Sequence, residues 1–466
     1  MKYASFLFSV VLLSASASQA QEAFDELESA TSEFEQQESE GGASGFKEYK
    51  QRQQQGFQSY KQKVRKEFAA YKKAHDNARD DYRKRITEVW HDPLVSSQKQ
   101  WVKYEDDYRL RTLIDFDAEE VRISWPADSA KGLDRNGFEA KLSELLQLTT
   151  KQAFEQDEVA QKVEAFGKEN LSTFETGQVD KKPVIETFLL GSESGNPGVR
   201  KKLREHFMEK AKRVEEAEHG QDVASWEFPL ETPDELAPSK SVAPESKGAV
   251  AESESPEATP VTEDGAIWHT RVINSKMVET LPSRVHGFIN AINDKNAEFD
   301  LSAELILALI ETESAFNPMA KSHIPAYGLM QIVPKSAGMD ATEKVFGKAR
   351  VLSPSYLYNS GNNIEIGAAY FNILYYRYFE SVEDPLSRLY CAISAYNTGP
   401  GNVAKALTRG GGMRLKPAIQ EANAMAPDEV YDRLMNHLPY DETVHYLRKV
   451  TDRLAKYESR FAGADN

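Results

Sequence analysis

Aromatic side chains return every eleven residues near the amino terminus: Phe46, Phe57 and Phe68 in one series, Tyr49, Tyr60, Tyr71 and Tyr82 in another. Val64 and Ile86 occupy a third position of the same period. Eleven residues over three turns is about 3.67 per turn, so these positions form one slowly drifting stripe and predict a continuous helix from Phe46 to Ile86. Soluble proteins seldom leave such a strip bare, so a partner helix, another subunit or the folded remainder of the chain is expected to cover it. Before it, Gly41-Gly42 is expected to break any helix. Further on, Leu113-Ile114-Asp115-Phe116-Asp117 and Val121-Arg122-Ile123-Ser124-Trp125 alternate like two strands joined by a turn, and Phe138 to Leu148 and Val199 to Ala217 read as helices. Between Glu231 and Asp264 there are five prolines and almost nothing large and apolar, the texture of an extended linker. From Trp268 onward the pattern is helical, and Leu305-Ile306-Leu307-Ala308-Leu309-Ile310 is apolar on every side, predicting a buried helix that Asp300 and Ser302 can cap.

Charge narrows the function classes. The 466 residues carry 57 Lys and Arg against 73 Asp and Glu, a net charge of −16, which argues against a general nucleic-acid binder. The distribution is uneven: Glu22 to Glu40 holds eight acidic and no basic residues, whereas Lys47 to Arg85 holds thirteen basic and five acidic ones. The basic helix could meet the acidic leader, a protein partner, a second copy of the chain or a polyanion, or simply be solvated. Lys2 followed by an apolar run from Phe6 to Leu13 and by Ser18-Gln19-Ala20 reads as a cleavable export signal, and no later segment is apolar and long enough to span a bilayer. A periplasmic location follows as the expectation, either soluble or peripherally associated with the cell wall. Cys391 is the only cysteine, so neither an intrachain disulfide nor a lipid-bearing cysteine near the cleavage site is available. Among apolar neighbours it reads as buried and inert. The expected organisation is a signal peptide over 1–20, an acidic leader and repeat helix over 21–90, a small α+β domain over 91–226, a linker over 227–266 and a mainly helical domain over 267–466.

The candidate chemistry sits where the buried helix ends, at Glu311-Thr312-Glu313-Ser314. A carboxyl group at the exit of an apolar helix is partly desolvated, which raises its pKa and lets it be a general acid near neutral pH. Helix-end glutamates usually just face solvent, so the surrounding sequence has to decide. Glu311 lies two residues from Glu313, about 200° around the helix, so the two do not form an acid/base dyad. His323, His437 and His445 lack metal-ligand spacing, and Gly410-Gly411-Gly412 lacks the end of a phosphate loop. Neither a metal nor another cofactor is expected.

Four ordered blocks follow the acid: Glu313-Ser314-Ala315-Phe316-Asn317-Pro318 with Ser322 and Gly328-Leu329-Met330-Gln331-Ile332; Asn363 with Gly367 and Tyr370; Ala395-Tyr396-Asn397-Thr398-Gly399; and Leu438-Pro439 with Glu442, Thr443 and Tyr446. Their order and spacing resemble the catalytic domain of the soluble lytic transglycosylase family, related in fold to goose-type lysozyme. Trp101-Val102-Lys103-Tyr104, Tyr108, Arg111 and Ile114-Asp115-Phe116-Asp117 look like the amino-terminal domain of the membrane-bound lytic murein transglycosylase C family. The lipid-bearing cysteine of that family is missing, the aromatic repeat and acidic linker look like additions, and Pro325 and Val444 stand where the family usually has Gly and Arg.

The resemblance implies a lysozyme-like, mainly α catalytic domain joined to a small α+β domain and a long helical arm. It implies peptidoglycan glycan strands as substrate and Glu313 as the single acid and base. That carboxyl would protonate the oxygen between N-acetylmuramic acid and N-acetylglucosamine, then take the proton of the muramic 6-hydroxyl as a 1,6-anhydro end forms. Glycan contacts would fall on Ser322, Met330, Gln331, Tyr396, Asn397, Glu442 and Tyr446. Each residue type has a structural use too: Ser322 can cap a helix, Gln331 and Asn397 can satisfy buried backbone, Met330 can fill core and Glu442 can form a helix-end salt bridge. Tyr396 stands out because a phenol near the acid can donate to a reacting oxygen. A hydrolytic lysozyme and a non-catalytic glycan-binding scaffold are the rival readings.

Overall fold

The computed structural model describes residues 41–129, 132–191, 195–236, 271–334 and 337–465. The expected signal peptide, the acidic leader to residue 40 and most of the expected linker lie outside the described residues.

The eleven-residue repeat forms one helix, α1 (Gly41–Ile86). Gly41 and Gly42 open this helix instead of breaking it; first-turn N–H groups have no intrahelical partner in any case, so glycine is tolerated there better than mid-helix. Val64, Phe68, Tyr71, His75, Ala78 and Ile86 are buried, whereas Phe57 is exposed. The cover comes from the folded remainder of the chain. Val64, Phe68 and Tyr71 share one apolar core with Val159 and Val163 and with Leu309, Tyr327 and Leu352 of the carboxy-terminal half. Polar ties fix the helix in register: the Tyr60 hydroxyl donates to the Ala349 carbonyl at 2.9 Å, and Lys61 pairs with Glu343 at 2.8 Å.

The next unit is a five-stranded antiparallel sheet in which Gln100–Glu105, Leu110–Asp115, Glu120–Pro126, Gln221–Pro229 and Lys212–Glu218 lie side by side in that order. Its strands are β1 (Gln100–Glu105), β2 (Leu110–Asp115), β3 (Glu120–Pro126), β5 (Lys212–Glu218) and β6 (Gln221–Pro229). The alternation around Ile114 and Ile123 thus marks two real, paired strands. Helices α2 (Arg135–Gln147), α4 (Val184–Leu190) and α5 (Pro197–Lys210) pack Phe138, Leu142, Ile185 and Phe207 against Ile114, Ile123 and Phe228 of the sheet. Between the first two, α3 (Glu158–Asn170) turns its apolar face instead to α1 and the carboxy-terminal half.

Two expectations are corrected here. The helix read from Val199 to Ala217 ends at Lys210, and Lys212–Glu218 is strand β5. Its charged residues suit a solvated helix and an edge strand equally well. The turn decides it, because His219 and Gly220 both take positive φ, 48° and 81°, the backbone a tight hairpin requires. In addition, β6 continues to Pro229 and Leu230 is buried, so the sheet runs past the boundary read at residue 226.

The carboxy-terminal half is helical, as its texture implied. Its central helix, α6 (Ala303–Ser314), is capped by Ser302, whose hydroxyl accepts from the Leu305 N–H at 3.0 Å. Asp300 instead closes the preceding helix in a left-handed conformation. Around α6 lie α7 (Ser360–Ile373), α8 (Pro385–Thr398) and the long α9 (Asp441–Asp465). Cys391, on α8, is fully buried, and burial pushes its thiol up to about 12. No described helix is long and apolar enough to cross a membrane. A short parallel pairing of β4 (Phe174–Glu175) with β7 (Val351–Leu352) joins the two halves.

If α1 is part of the carboxy-terminal half's core, truncating one buried ring must loosen helices far from it. Phe68→Ala should destabilise the chain by about 3 kcal/mol or more. The slowest amides of α6 should then exchange about a hundredfold faster. An unchanged exchange rate in α6 would show that the helix is an independent arm.

Candidate active site

Glu313 stands in the last turn of α6, and Ala315 and Phe316 follow in left-handed backbone, with φ of 50° and 63°, so the chain turns back sharply. The residue is 6% exposed, and among the described residues no cation lies within ion-pair distance of its carboxyl. Burial pushes this carboxyl up to about 8, against the pull of the nearby Tyr446 hydroxyl and with a further push from Glu442. It is therefore largely protonated at neutral pH and can give up a proton there. The Tyr446 oxygen is buried and makes no close hydrogen bond among the described residues.

Glu311 shows how differently a neighbour on the same helix can be treated. It faces α9, where the Tyr457 hydroxyl donates to it at 2.6 Å and Lys456 and Arg453 lie at 3.3 and 3.7 Å. Desolvation alone would raise its pKa, but these three groups together hold the carboxyl below the usual range. It is a structural anion pointing away from Glu313, as the helical spacing required.

The remaining blocks converge through backbone contacts. Gly328 has φ +75°, and a Cβ there would fall 2.3 Å from the Asn363 amide and 2.5 Å from the Leu357 carbonyl oxygen, so only glycine fits. Asn363, on α7, grips this turn from three sides: its amide donates to the carbonyls of Tyr327 and Leu357 at 2.8 and 3.0 Å, and its oxygen accepts from the Met330 N–H at 2.8 Å. Met330 is fully buried against Gly367, where a Cβ would sit 2.4 Å from the Met330 sulfur. Gln331 takes φ 48°, and its amide donates back to the Gly328 carbonyl at 2.9 Å. The Gln331 side-chain oxygen is buried with no partner among the described residues, an acceptor available to a ligand donor.

Tyr396 packs its ring 5.5 Å from that of Tyr370, and its hydroxyl donates to the Met330 carbonyl at 2.9 Å. The phenol expected to serve a reacting oxygen is thus committed to holding the Met330 turn. Tyr446 is the phenol whose hydroxyl stands beside Glu313 without a close partner. Asn397 accepts from the Thr443 hydroxyl at 2.7 Å and ties α8 to α9. Glu442 is exposed, one turn before Tyr446 on α9. The Ser322 hydroxyl donates to the Ile324 carbonyl within a half-buried loop that contains Pro325, and Val444 is half-buried on α9.

Sequence reasoning missed what holds the loop between Glu313 and Ser322. The Ser97 carbonyl accepts from the Lys321 N–H and the Gln98 carbonyl from the Asn317 amide, both at 3.2 Å, and Lys321 pairs with Asp157 at 2.6 Å. Ala315 and Met319 are buried in the core of the five-stranded sheet. Nothing local in Ser97 or Gln98 marks this role, since only their backbone oxygens are used against Lys321 and Asn317.

Known families match a part of each half. Residues 290–415 match the transglycosylase SLT domain, and residues 62–137 match the membrane-bound lytic murein transglycosylase C N-terminal domain. Both matches, each confined to these residues, are to the families that the sequence motifs resemble. The chain is 39% identical over 177 residues to the membrane-bound lytic murein transglycosylase C of Sodalis glossinidius, covering 38% of this chain and 48% of that one. Against the Klebsiella pneumoniae protein of the same name it is 36% identical over 197 residues, 41% of this chain and 52% of that one. The matched regions thus span about half the length of these relatives. Among solved structures, the soluble lytic transglycosylase of Escherichia coli aligns over 39% of this chain and 27% of its own, at 22% identity and a TM-score of 0.28.

The raised pKa of Glu313 carries a stability cost of definite sign. Below the ordinary value of 4.5 both folded and unfolded states hold the proton; between 4.5 and about 8 only the folded state does. Folding stability therefore falls by about 1.4 kcal/mol per pH unit across this window. Glu313→Gln removes the penalty and should be more stable than the parent by roughly 3 kcal/mol at pH 7, with the difference vanishing near pH 4. Urea titrations at the two pH values check it, and an equal offset at both would contradict the buried, protonated carboxyl.

Proposed function

We propose that the chain is an exported peptidoglycan lytic transglycosylase whose catalytic unit occupies residues 267–466 and whose single acid and base is Glu313. The observation that carries this reading is one buried carboxyl, held protonated without a cation, at the meeting point of four sequence blocks. In the proposed reaction Glu313 protonates the glycosidic oxygen between N-acetylmuramic acid and N-acetylglucosamine, and positive charge develops at the anomeric carbon. The carboxylate left behind accepts the proton of the muramic 6-hydroxyl as that oxygen closes on its own anomeric carbon. The bond to the leaving sugar breaks, a 1,6-anhydro ring forms and Glu313 is again protonated. An intramolecular nucleophile needs no second carboxylate to position water. The carboxylate inventory agrees, because Glu311 is bound to α9 and Glu442 is exposed.

The other site residues divide by what they touch. Gln331 offers a buried acceptor and Ser322 a rim hydroxyl to the glycan, while Tyr446 stands where its hydroxyl can follow the changing charge on Glu313. Met330, Tyr396 and Asn397 keep these groups in place through the contacts described above. A periplasmic location accords with the relatives' description as membrane-bound murein enzymes.

Three results are expected with isolated sacculi. Glu313→Gln should lower turnover by at least about a hundredfold, since general acid catalysis alone contributes about 10² to 10⁴; retention of more than about a tenth would refute the assignment. The kcat/KM of the parent should be level below pH 8 and fall tenfold per unit above it, because the acid must enter protonated. Cleavage in heavy-oxygen water should leave no solvent oxygen in the new muramic ends. Incorporation into most ends would establish hydrolysis, with Glu442 the carboxylate to test as the group activating water.

A further inference from the structure

A cavity of about 220 Å³ opens between α1 and the loop that follows the Glu313 helix. His75, Arg79 and Arg83 of α1 form one wall, and Lys321, Ser322 and His323 form another. Three lining residues carry permanent positive charge, Arg79, Arg83 and Lys321, and none is a carboxylate. Lys321 is neutralised behind the wall by Asp157 at 2.6 Å. Arg79 spends one terminal nitrogen on the His323 carbonyl at 2.6 Å and has Asp80 3.4 Å from the other. Its Nε is shielded from water and has no partner among the described residues. Arg83, one turn on, is exposed, and no described carboxylate lies within ion-pair distance of it. On the same helix Asp76 is engaged by Lys72 at 2.5 Å and faces His75 at 3.4 Å, and Asp81 is exposed.

The repeat itself departs from its rule at this place. Of the third positions Val64, His75 and Ile86, all three buried, the polar one falls where α1 passes the cavity. An apolar core position is the ordinary use of such a site on the stripe. Val95 and Val159 supply an apolar wall. The cavity therefore matches a small anion carried on aliphatic groups, and not a bare inorganic ion.

We propose that this cavity binds a carboxylate of the peptide that hangs from the muramic acid of the substrate, so that the amino-terminal helix reads the peptide while the SLT domain reads the sugar. The proposal rests on the function proposed above, because Ser322 belongs both to the expected glycan contacts and to the cavity wall. Muramic acid bears its peptide through a lactyl ether on the ring, and Ser322 lines the cavity, so a sugar held at Ser322 would carry its stem beside this space.

The test uses the full-length Glu313→Gln chain and a soluble stem peptide with free carboxylates, with binding read by calorimetry. Amidation of the peptide's carboxylates, or the substitution Arg83→Gln, should each weaken binding about three- to tenfold, the range of a charge-assisted hydrogen bond at a partly exposed site. Arg83→Lys should restore most of the loss, and Arg83→Gln should not affect the amidated peptide. Arg83 is chosen because its side chain holds no loop in place, unlike that of Arg79. Equal binding of the free and amidated peptides, no binding of either, or an equal loss for both on Arg83→Gln would overturn the proposal. Since this readout needs no cleavage, peptide binding together with a parent chain, Glu313 intact, that cannot cut sacculi would reject the catalytic reading alone.

Discussion

A carboxyl group kept out of water with no cation beside it is the feature on which the rest of the carboxy-terminal half depends. Burial is the largest of the forces that bring Glu313 up to about 8, and the groups around it preserve that burial without supplying a cation that would undo it. The contrast with Glu311, two residues earlier on α6, makes the point. That carboxyl is equally hidden, yet a tyrosine hydroxyl and two cations on α9 keep it ionised. One helix thus carries two buried acids in opposite protonation states, separated only by the face they occupy.

Holding an unpaired acid in place requires rigidity that the acid itself does not provide. It comes from a chain of backbone contacts: Asn363 clamps the Gly328 turn, Gly367 makes room for Met330, and Tyr396 closes on the Met330 carbonyl. Asn397 then passes the constraint to α9, the helix that carries Tyr446. On the opposite side the loop after Glu313 is held by backbone carbonyls of Ser97 and Gln98 and by the Lys321–Asp157 pair, all involving the amino-terminal part of the chain. The amino-terminal domain is therefore part of the scaffold of the site. The same packing explains why α1 is covered by its own chain: its rings join a core already built around α6.

Much of this architecture is legible in the amino-acid sequence, for identifiable reasons. An apolar run with no polar face marks a buried element, and the capping serine before it marks a helix start, so α6 and the acid at its exit can be read from Ser302 to Glu313. An eleven-residue period admits one helical phase, so α1 can be read, although what covers it is a long-range fact that no local pattern contains. The motif residues Asn363 and Gly367 stand out as spacing, whereas their reasons, a three-way clamp and a missing Cβ, are visible only with their partners. Strand β5 escapes the pattern because its charges fit two solvated structures, and the short hairpin turn at His219-Gly220 carries the decision. The Tyr396 hydroxyl makes a bond the sequence does not announce, since nothing in it says that the Met330 carbonyl lies 2.9 Å away.

The central claim is the protonation state of Glu313 in the resting protein. Infrared difference spectra between the parent and Glu313→Gln, recorded across the pH range from 5 to about 10, observe that one carboxyl group directly. A protonated carboxyl band that persists through neutral pH and converts to carboxylate near 8 is the predicted result. A carboxylate already fully formed at pH 6, as for an ordinary glutamate, would contradict it.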